Sequence, residues 1–303
     1  MFFVDSSTYQ TMTETEYQRR VAQIDEWAKA LGFELANLIE PNPADVIYHY
    51  TNSSALIGML ESGKIWATHV SRMNDSMEYK IGVELVERLV RGNMKGQSRQ
   101  LVERAISNLV SVDTYIACYS SEVNQLSQWR AYAGLGVGYC IGFKSGEMAT
   151  TDGRMPLLEK VIYSEEVAEA VVARLLDRVE ELLAKSDFGE VEVGYLLGML
   201  EATFNIVACV VKHAGFEEEA EYRQIYQPST SSLSLETKFR SGRYGLTPYV
   251  EFGFLKESQL PIESITIGPS TDPDEENCTL AAILSRHGYQ SVEIQQSGIP
   301  VRV

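Results

Sequence analysis

The chain has little of what usually announces a compartment or a metal. Its four cysteines, Cys118, Cys140, Cys209 and Cys278, lie far apart and form no CxxC pair. A disulfide framework is therefore not expected, and reduced thiols in a cytoplasmic setting are. The four histidines, His49, His69, His213 and His287, show no close ligand spacing and join no cysteine cluster, so no metal is expected. Met1 to Asp5 lacks the basic and apolar regions of a secretory leader, and apolar runs such as Val207 to Val211 are too short to span a bilayer. Basic side chains are also scarce, 26 against 42 acidic, giving a net charge of −16. That charge disfavours nucleic acid as a partner without forbidding it, because a local arginine cluster can act against an acidic background. No Gly, Pro or Ser tract divides the 303 residues and no repeat is visible.

What is present is a 45% hydrophobic content, enough for a large core. The pattern reads as α+β with a mixed, mostly antiparallel sheet. An amphipathic helix is expected over about Glu14 to Leu31, making residues 1–40 a helical extension, and residues 41–303 then form a single domain. The domain opens with a strand at Asp45 to Thr51, a helix from Ser54 stopped by Gly63, and a strand at Lys64 to His69. Helices follow at Ser76 to Val90 and Ser98 to Val110, then a buried strand at Asp113 to Ser120, a helical turn at Leu126 to Ala133 and a strand at Tyr139 to Phe143. A strand closing at Val161 to Ser164 leads into a helical pair at Glu166 to Lys185 and Gly189 to Val211, inserted at about 165–212. Later strands are expected at Glu219 to Gln227, Arg243 to Gly245, Thr247 to Leu255, Ile262 to Ile267 and Ser291 to Gln295, with a helix at Glu275 to His287.

Two stretches draw attention. Ile47 to Thr51 carries His49 in a β-rich run, on one face with Thr51 while Tyr48 and Tyr50 take the other. A lone strand histidine also serves as a hydrogen-bonded core residue, and the two roles are equally open here. In Glu217 to Arg223, a period of two puts Glu219, Glu221 and Arg223 on one face. Either this is an edge row of ion pairs, or Arg223 holds a cleft carboxylate ionised. A fixed anion with an imidazole beside it suits a reaction in which positive charge develops on a sugar ring, the histidine positioning a ribose hydroxyl. A pyridinium leaving group departs neutral and needs no general acid. Trp129, Arg130 and Tyr132, beside Gln128, combine ring faces with a cation suited to a base and a phosphate, although Trp129 equally serves to anchor its helix to the core. Gly134, Gly136 and Gly138 precede a strand and read as a turn, because a dinucleotide fingerprint runs from strand to helix. Cys118 sits in an apolar strand where an inert thiol is the better reading.

In order along the chain, several pieces together resemble the bacterial proteins grouped as domain of unknown function 2971. They are Tyr48, His49, Tyr50 and Thr51 followed by Leu60 to Lys64; Met73, Asn74 and Asp75 with Glu78; Ala117 to Ser120; Gln128, Trp129, Arg130 and Tyr132 with Gly142 and Phe143; Phe216, Glu219, Glu221 and Arg223; Pro248 and Tyr249; Gly268 and Pro269; and Ser297, Ile299, Pro300 and Arg302. The opening module is similar to that of ADP-ribosyltransferase-like folds. The resemblance implies a sheet core of that type and an NAD- or nucleotide-using transferase or glycohydrolase, in phage defence or a toxin-like setting, with NAD as substrate rather than a resident cofactor. It implies His49 on the ribose and Glu221, with Glu219 as rival, as the carboxylate. Thr51, Asn74, Asp75, Ser120, Trp129, Arg130, Tyr132, Glu219 and Arg223 are the binding candidates it adds. Tyr119 or Tyr132 would pack on nicotinamide. The alternative is a non-catalytic module in which the same cleft senses a nucleotide or engages a protein.

Overall fold

The computed structural model describes residues 44–73, 76–109, 113–132, 137–150, 157–184, 190–228, 234–242, 245–254, 259–270 and 272–300, with Thr13, Glu16, Gln18, Arg19, Ala22 and Glu26 before them. Those last five residues from Glu16 on are helical, and the apolar positions of the expected first helix lie outside the described residues. The chain divides into two compact units: residues 42–74, 114–161 and 215–303 make one, and residues 75–113 and 162–214, with 1–41, make the other.

The first unit is built on a ten-stranded sheet. Its opening module is β1 (Val46–Asn52), α1 (Ser53–Ser62) and β2 (Lys64–His69). Asn52 caps α1 by accepting from the Ala55 N–H at 3.0 Å, and Gly63 ends it at φ 63°, a left-handed turn that glycine adopts without a steric penalty. Then come β3 (Tyr115–Ser120), α2 (Leu126–Tyr132), β4 (Gly138–Lys144), β5 (Leu157–Lys160), β6 (Glu221–Tyr226), β7 (Lys238–Gly242), β8 (Gly245–Gly253), β9 (Ile262–Ile267), α3 (Pro273–Arg286) and β10 (Glu293–Gln296). Strand pairs are antiparallel except β9 with β10. The fold is thus α+β with a mixed, mostly antiparallel sheet.

One pairing shapes this sheet. β6 follows β3 along all six residues, from Tyr115 opposite Tyr226 to Ser120 opposite Glu221. A strand has two hydrogen-bonding edges. β1, which meets β3 at Tyr48 opposite Ser120, and β2, which meets it at Thr68 and His69 opposite Ile116 and Tyr115, must therefore share the other edge. The sheet forks there, and Ala117, Cys118 and Tyr119 lie between the two prongs.

Around β1 the sheet is covered on both faces. Ile47, Ala117, Tyr119, Ile141 and Phe143 join Leu56, Met59 and Leu60 of α1 and Leu280 and Leu284 of α3 in the main core. On the opposite side Tyr50, Trp129 and Cys140 pack together with Tyr48, Tyr132 and Ile299. Apolar and aromatic residues thus occupy both parities of β1, which places β1 inside the sheet.

Three expected boundaries shift. The strand before the helical segment is Leu157–Lys160, and Ile162 makes only an isolated bridge to Val211. The late hairpin is Lys238–Gly242 with Gly245–Gly253, earlier than read, because β7 exposes Phe239 and gives no buried alternation to detect. Glu219 belongs to a 3-10 helix, Ala214–Glu219, so the strand starts only at Glu221.

The second unit holds α4 (Ser76–Asn93), α5 (Gly96–Asn108), α6 (Glu165–Ala184) and α7 (Glu190–Val210). The two long helices pack with α4 and α5. Lys212 pairs with Glu78 at 3.1 Å, both side chains nearly covered. Residues Glu192–Val210 of α7 have a mean hydropathy of 1.6, long and apolar enough by composition to cross a membrane, beyond the short runs visible on inspection. Half of that stretch is buried within the structure, with Leu196, Leu200, Phe204 and Val207 at helical spacing.

Gly82 of α4 shows how closely these helices approach. A Cβ built there would stand 2.5 Å from Ala208 Cα of α7. Helix propensity alone favours alanine by about 1 kcal/mol, whereas overpacking costs about 1–3 kcal/mol. Gly82→Ala should therefore lower the thermal midpoint; an unchanged or raised midpoint would show that the helices separate freely.

Candidate functional site

At the fork lies a small pocket of about 60 Å³ lined by Tyr48, His49, Tyr50, Cys118, Tyr119, Ser120, Gln128, Tyr132, Glu219 and Glu221. The lining comes from β1, β3, α2 and the start of β6 with the turn before it, and no residue of β2 takes part. β1 supplies three successive residues because the pocket opens at a strand edge, where both faces are within reach. α2 supplies Gln128 and Tyr132, four residues apart on one helix face.

His49 bridges the gap between β1 and β3. Its Nδ1 lies 2.8 Å from the Cys118 carbonyl oxygen, in the middle of the stretch that neither β1 nor β2 pairs. A carbonyl only accepts, so Nδ1 carries the proton and Nε2 of the neutral ring is an acceptor. Burial pushes the imidazole below its ordinary value of 6.5; the Cys118 bond works against that shift, and the positive field of Arg240 adds to it. The ring also leans on Tyr119, with centroids 5.8 Å apart.

The carboxylate side is equally tied down. Arg223, fully buried, donates from Nε and Nη2 to the two oxygens of Glu221, each at 2.9 Å. This fork-to-carboxylate geometry fixes Glu221 in one orientation. Across from Arg223 in register is Glu159 of β5, whose carboxyl burial pushes up to about 7. Glu219 reaches the pocket by another route. Ala220 adopts φ +44°, a left-handed conformation uncommon outside glycine, and turns the chain from the 3-10 helix into β6. Ser120 secures that turn by donating to the Glu219 carbonyl at 2.7 Å, while accepting from the Glu122 N–H at 3.0 Å.

Among the residues singled out from sequence, His49, Tyr119, Ser120, Gln128, Tyr132, Glu219 and Glu221 therefore line one pocket, with Arg223 behind Glu221. Thr51 is buried on β1 opposite Tyr139, away from it. Trp129 is buried, edge-on to Tyr50 at 4.9 Å, and donates its indole N–H to Asn124 at 3.0 Å. Arg130 is exposed and does not line the pocket. Asn74 and Asp75 lie outside the described residues. Tyr48 and Tyr50 were legible only as strand aromatics, and their place in the pocket follows from the fork. Tyr50 accepts from Gln125 and donates to the Glu122 carbonyl, so its ring is held in position. Among the described residues no three His, Cys, Asp or Glu side chains gather to hold a metal.

Residues 128–224 match the model of a family described as protein of unknown function, DUF2971. The matched segment holds α2 from Gln128 on, the helical pair and the carboxylate strand as far as Gln224, whereas His49 and β3 lie before it. No curated protein and no solved structure matches the chain.

The tautomer and field at His49 make a direct test. The native state holds the neutral ring, so its contribution to stability is present above 6.5 and is lost as pH falls and the unfolded chain takes up the proton. Imidazole resonances should show His49 titrating below 6.5, and Arg240→Met, by removing a nearby positive charge, should move the midpoint upward. A wild-type midpoint at or above 6.5, unmoved by the substitution, would contradict this electrostatic picture.

Proposed function

We propose that the fork pocket receives the nicotinamide riboside end of NAD, or the equivalent part of another nucleotide, and that the protein is a transferase or glycohydrolase of ADP-ribosyltransferase type. The observation carrying this reading is that His49 and Glu221, from remote parts of the sequence, line the same pocket among tyrosine rings. The roles follow from the chemistry. Nε2 of His49 accepts from a ribose hydroxyl. Glu219 and Glu221 supply negative charge where the glycosidic bond breaks and an oxocarbenium-like centre develops. Tyr48 and Tyr132 offer ring faces to a pyridinium, for which aromatic and acidic surroundings are favourable.

The pocket at about 60 Å³ is smaller than the roughly 150 Å³ that encloses a benzene ring. Tyr48 and Tyr132 are both half-buried, so a ring enters by displacing one of these side chains. The rest of a nucleotide lies outside the pocket.

One observation favours a second reading, a sensor that binds without catalysis. Both oxygens of Glu221 are already engaged by Arg223, and a neutralised carboxylate stabilises a developing cation less than a bare one.

Incubation of the purified protein with NAD separates the two. Catalysis predicts nicotinamide release that falls about 100-fold or more in His49→Ala and in Glu221→Gln or Glu219→Gln, whichever carboxylate acts. Melting curves must accompany the Glu221 variant, because breaking a buried pair costs about 3–5 kcal/mol. NAD binding without release assigns the sensor, and neither binding nor release ends both readings for NAD.

A further inference from the structure

The sequence offered Arg130 as the phosphate-holding cation, yet Arg130 is exposed and stands outside the pocket lining. A different arginine occupies the other prong of the fork. Register places Lys64, Trp66 and Thr68 of β2, Tyr249 and Glu251 of β8, and Lys238 and Arg240 of β7 on one face of the sheet. The Arg240 guanidinium lies 5.5 Å from the Trp66 ring centroid and 5.7 Å from that of Tyr249. Its Nη2 donates to Thr68 Oγ1 at 2.8 Å.

Three features mark this group as unfinished. Its Nε is buried without an acceptor, and so is the indole Nε1 of Trp66 against which it stacks. Buried donors left unpaired cost about 1–3 kcal/mol each, so two in one stack call for a shared acceptor. No carboxylate among the described residues pairs with Arg240. Glu251 is taken by Lys238 at 2.8 Å and Lys64 at 3.6 Å, and Glu236 also acts on Lys238, so Lys64, Lys238 and Arg240 outnumber the acids beside them by one on a chain of charge −16.

The location is as informative as the chemistry. Thr68, which receives Arg240, sits opposite Ile116, and His49 bonds to the carbonyl of Cys118. Those anchors are two residues apart along β3, roughly 7 Å.

We propose that Arg240 and Trp66 form an anion subsite that holds a phosphate of the ligand whose sugar reaches His49. The guanidinium edge and the indole N–H supply the donors, Tyr249 and Thr68 fix the guanidinium plane, and the two lysines attract the charge. This rests on the nucleotide reading for the identity of the ligand, but the subsite is defined by phosphate alone.

Calorimetric titration with inorganic pyrophosphate and with ADP-ribose tests it, using wild type, Arg240→Met, Arg240→Lys and Trp66→Phe. Each variant is first checked by its circular dichroism spectrum and melting curve. The expected result is binding of both probes by wild type, a roughly ten- to hundredfold loss in Arg240→Met, partial retention in Arg240→Lys and a several-fold loss in Trp66→Phe. Nicotinamide riboside, which has no phosphate, should bind wild type and Arg240→Met alike. Arg240-dependent binding of pyrophosphate without any binding of ADP-ribose would uphold the subsite and remove the nucleotide reading. Failure of wild type to bind either probe, or equal affinity in folded Arg240→Met, would overturn the subsite.

Discussion

A β-strand offers two edges, and β3 borders three other strands. β6 takes one edge entirely, so β1 and β2 divide what remains and part company around Cys118. The main-chain carbonyl exposed between them is satisfied by the His49 imidazole rather than by a neighbouring strand. That single bond fixes the tautomer of the histidine, closes the gap in the ladder and leaves a hollow in which side chains from both faces of the sheet meet. The site is thus a consequence of sheet topology. Loops contribute little to it beyond the turn at Ala220 that brings Glu219 inward.

The two sides of the fork differ in character. The wall toward β6 is acidic and rigid, with Glu221 gripped by Arg223 and Glu219 delivered by a left-handed turn that Ser120 braces. The prong toward β2, outside the pocket lining, is cationic and aromatic, with a guanidinium resting on two adjoining rings and no carboxylate paired with it among the described residues. A ligand positive at one end and negative at the other matches that polarity, and a dinucleotide with a pyridinium base is such a molecule. The strongly acidic surface disfavours long-range capture of anions, so an anion must be recognised by local donors.

The sequence carried the opening module plainly. Polar caps at Asn52, the glycine stop at Gly63 and the β-rich run around His49 each follow from local preferences that the tertiary structure respects. The helix expected at Glu275 to His287 is present but starts two residues earlier, at Pro273, where Asp272 caps it and acids fill its first turn. Glu221 and Arg223 were correctly seen as strand neighbours on one face. Glu219 was not, because a period-two pattern carries no sign of the positive φ at Ala220. Trp129 and Arg130 have the residue types of a ligand clamp, but the helix turns one into the core and the other to solvent, a choice set by where Tyr50 and Asn124 stand. Arg240 was invisible for another reason. Its strand lacks buried alternation, and its partners come from β2 and β8, so only the assembled register reveals the cluster.

The central claim is that the fork in the sheet is where a nucleotide engages this protein. Amide shift mapping during a titration with NAD addresses it most directly. The account predicts saturable shifts at Tyr48 to Tyr50, Cys118 to Ser120, Glu219 to Glu221 and Arg240, the residues bordering the gap. Shifts confined to the helical unit, such as residues 162–214, or no shifts at saturating NAD, would contradict it.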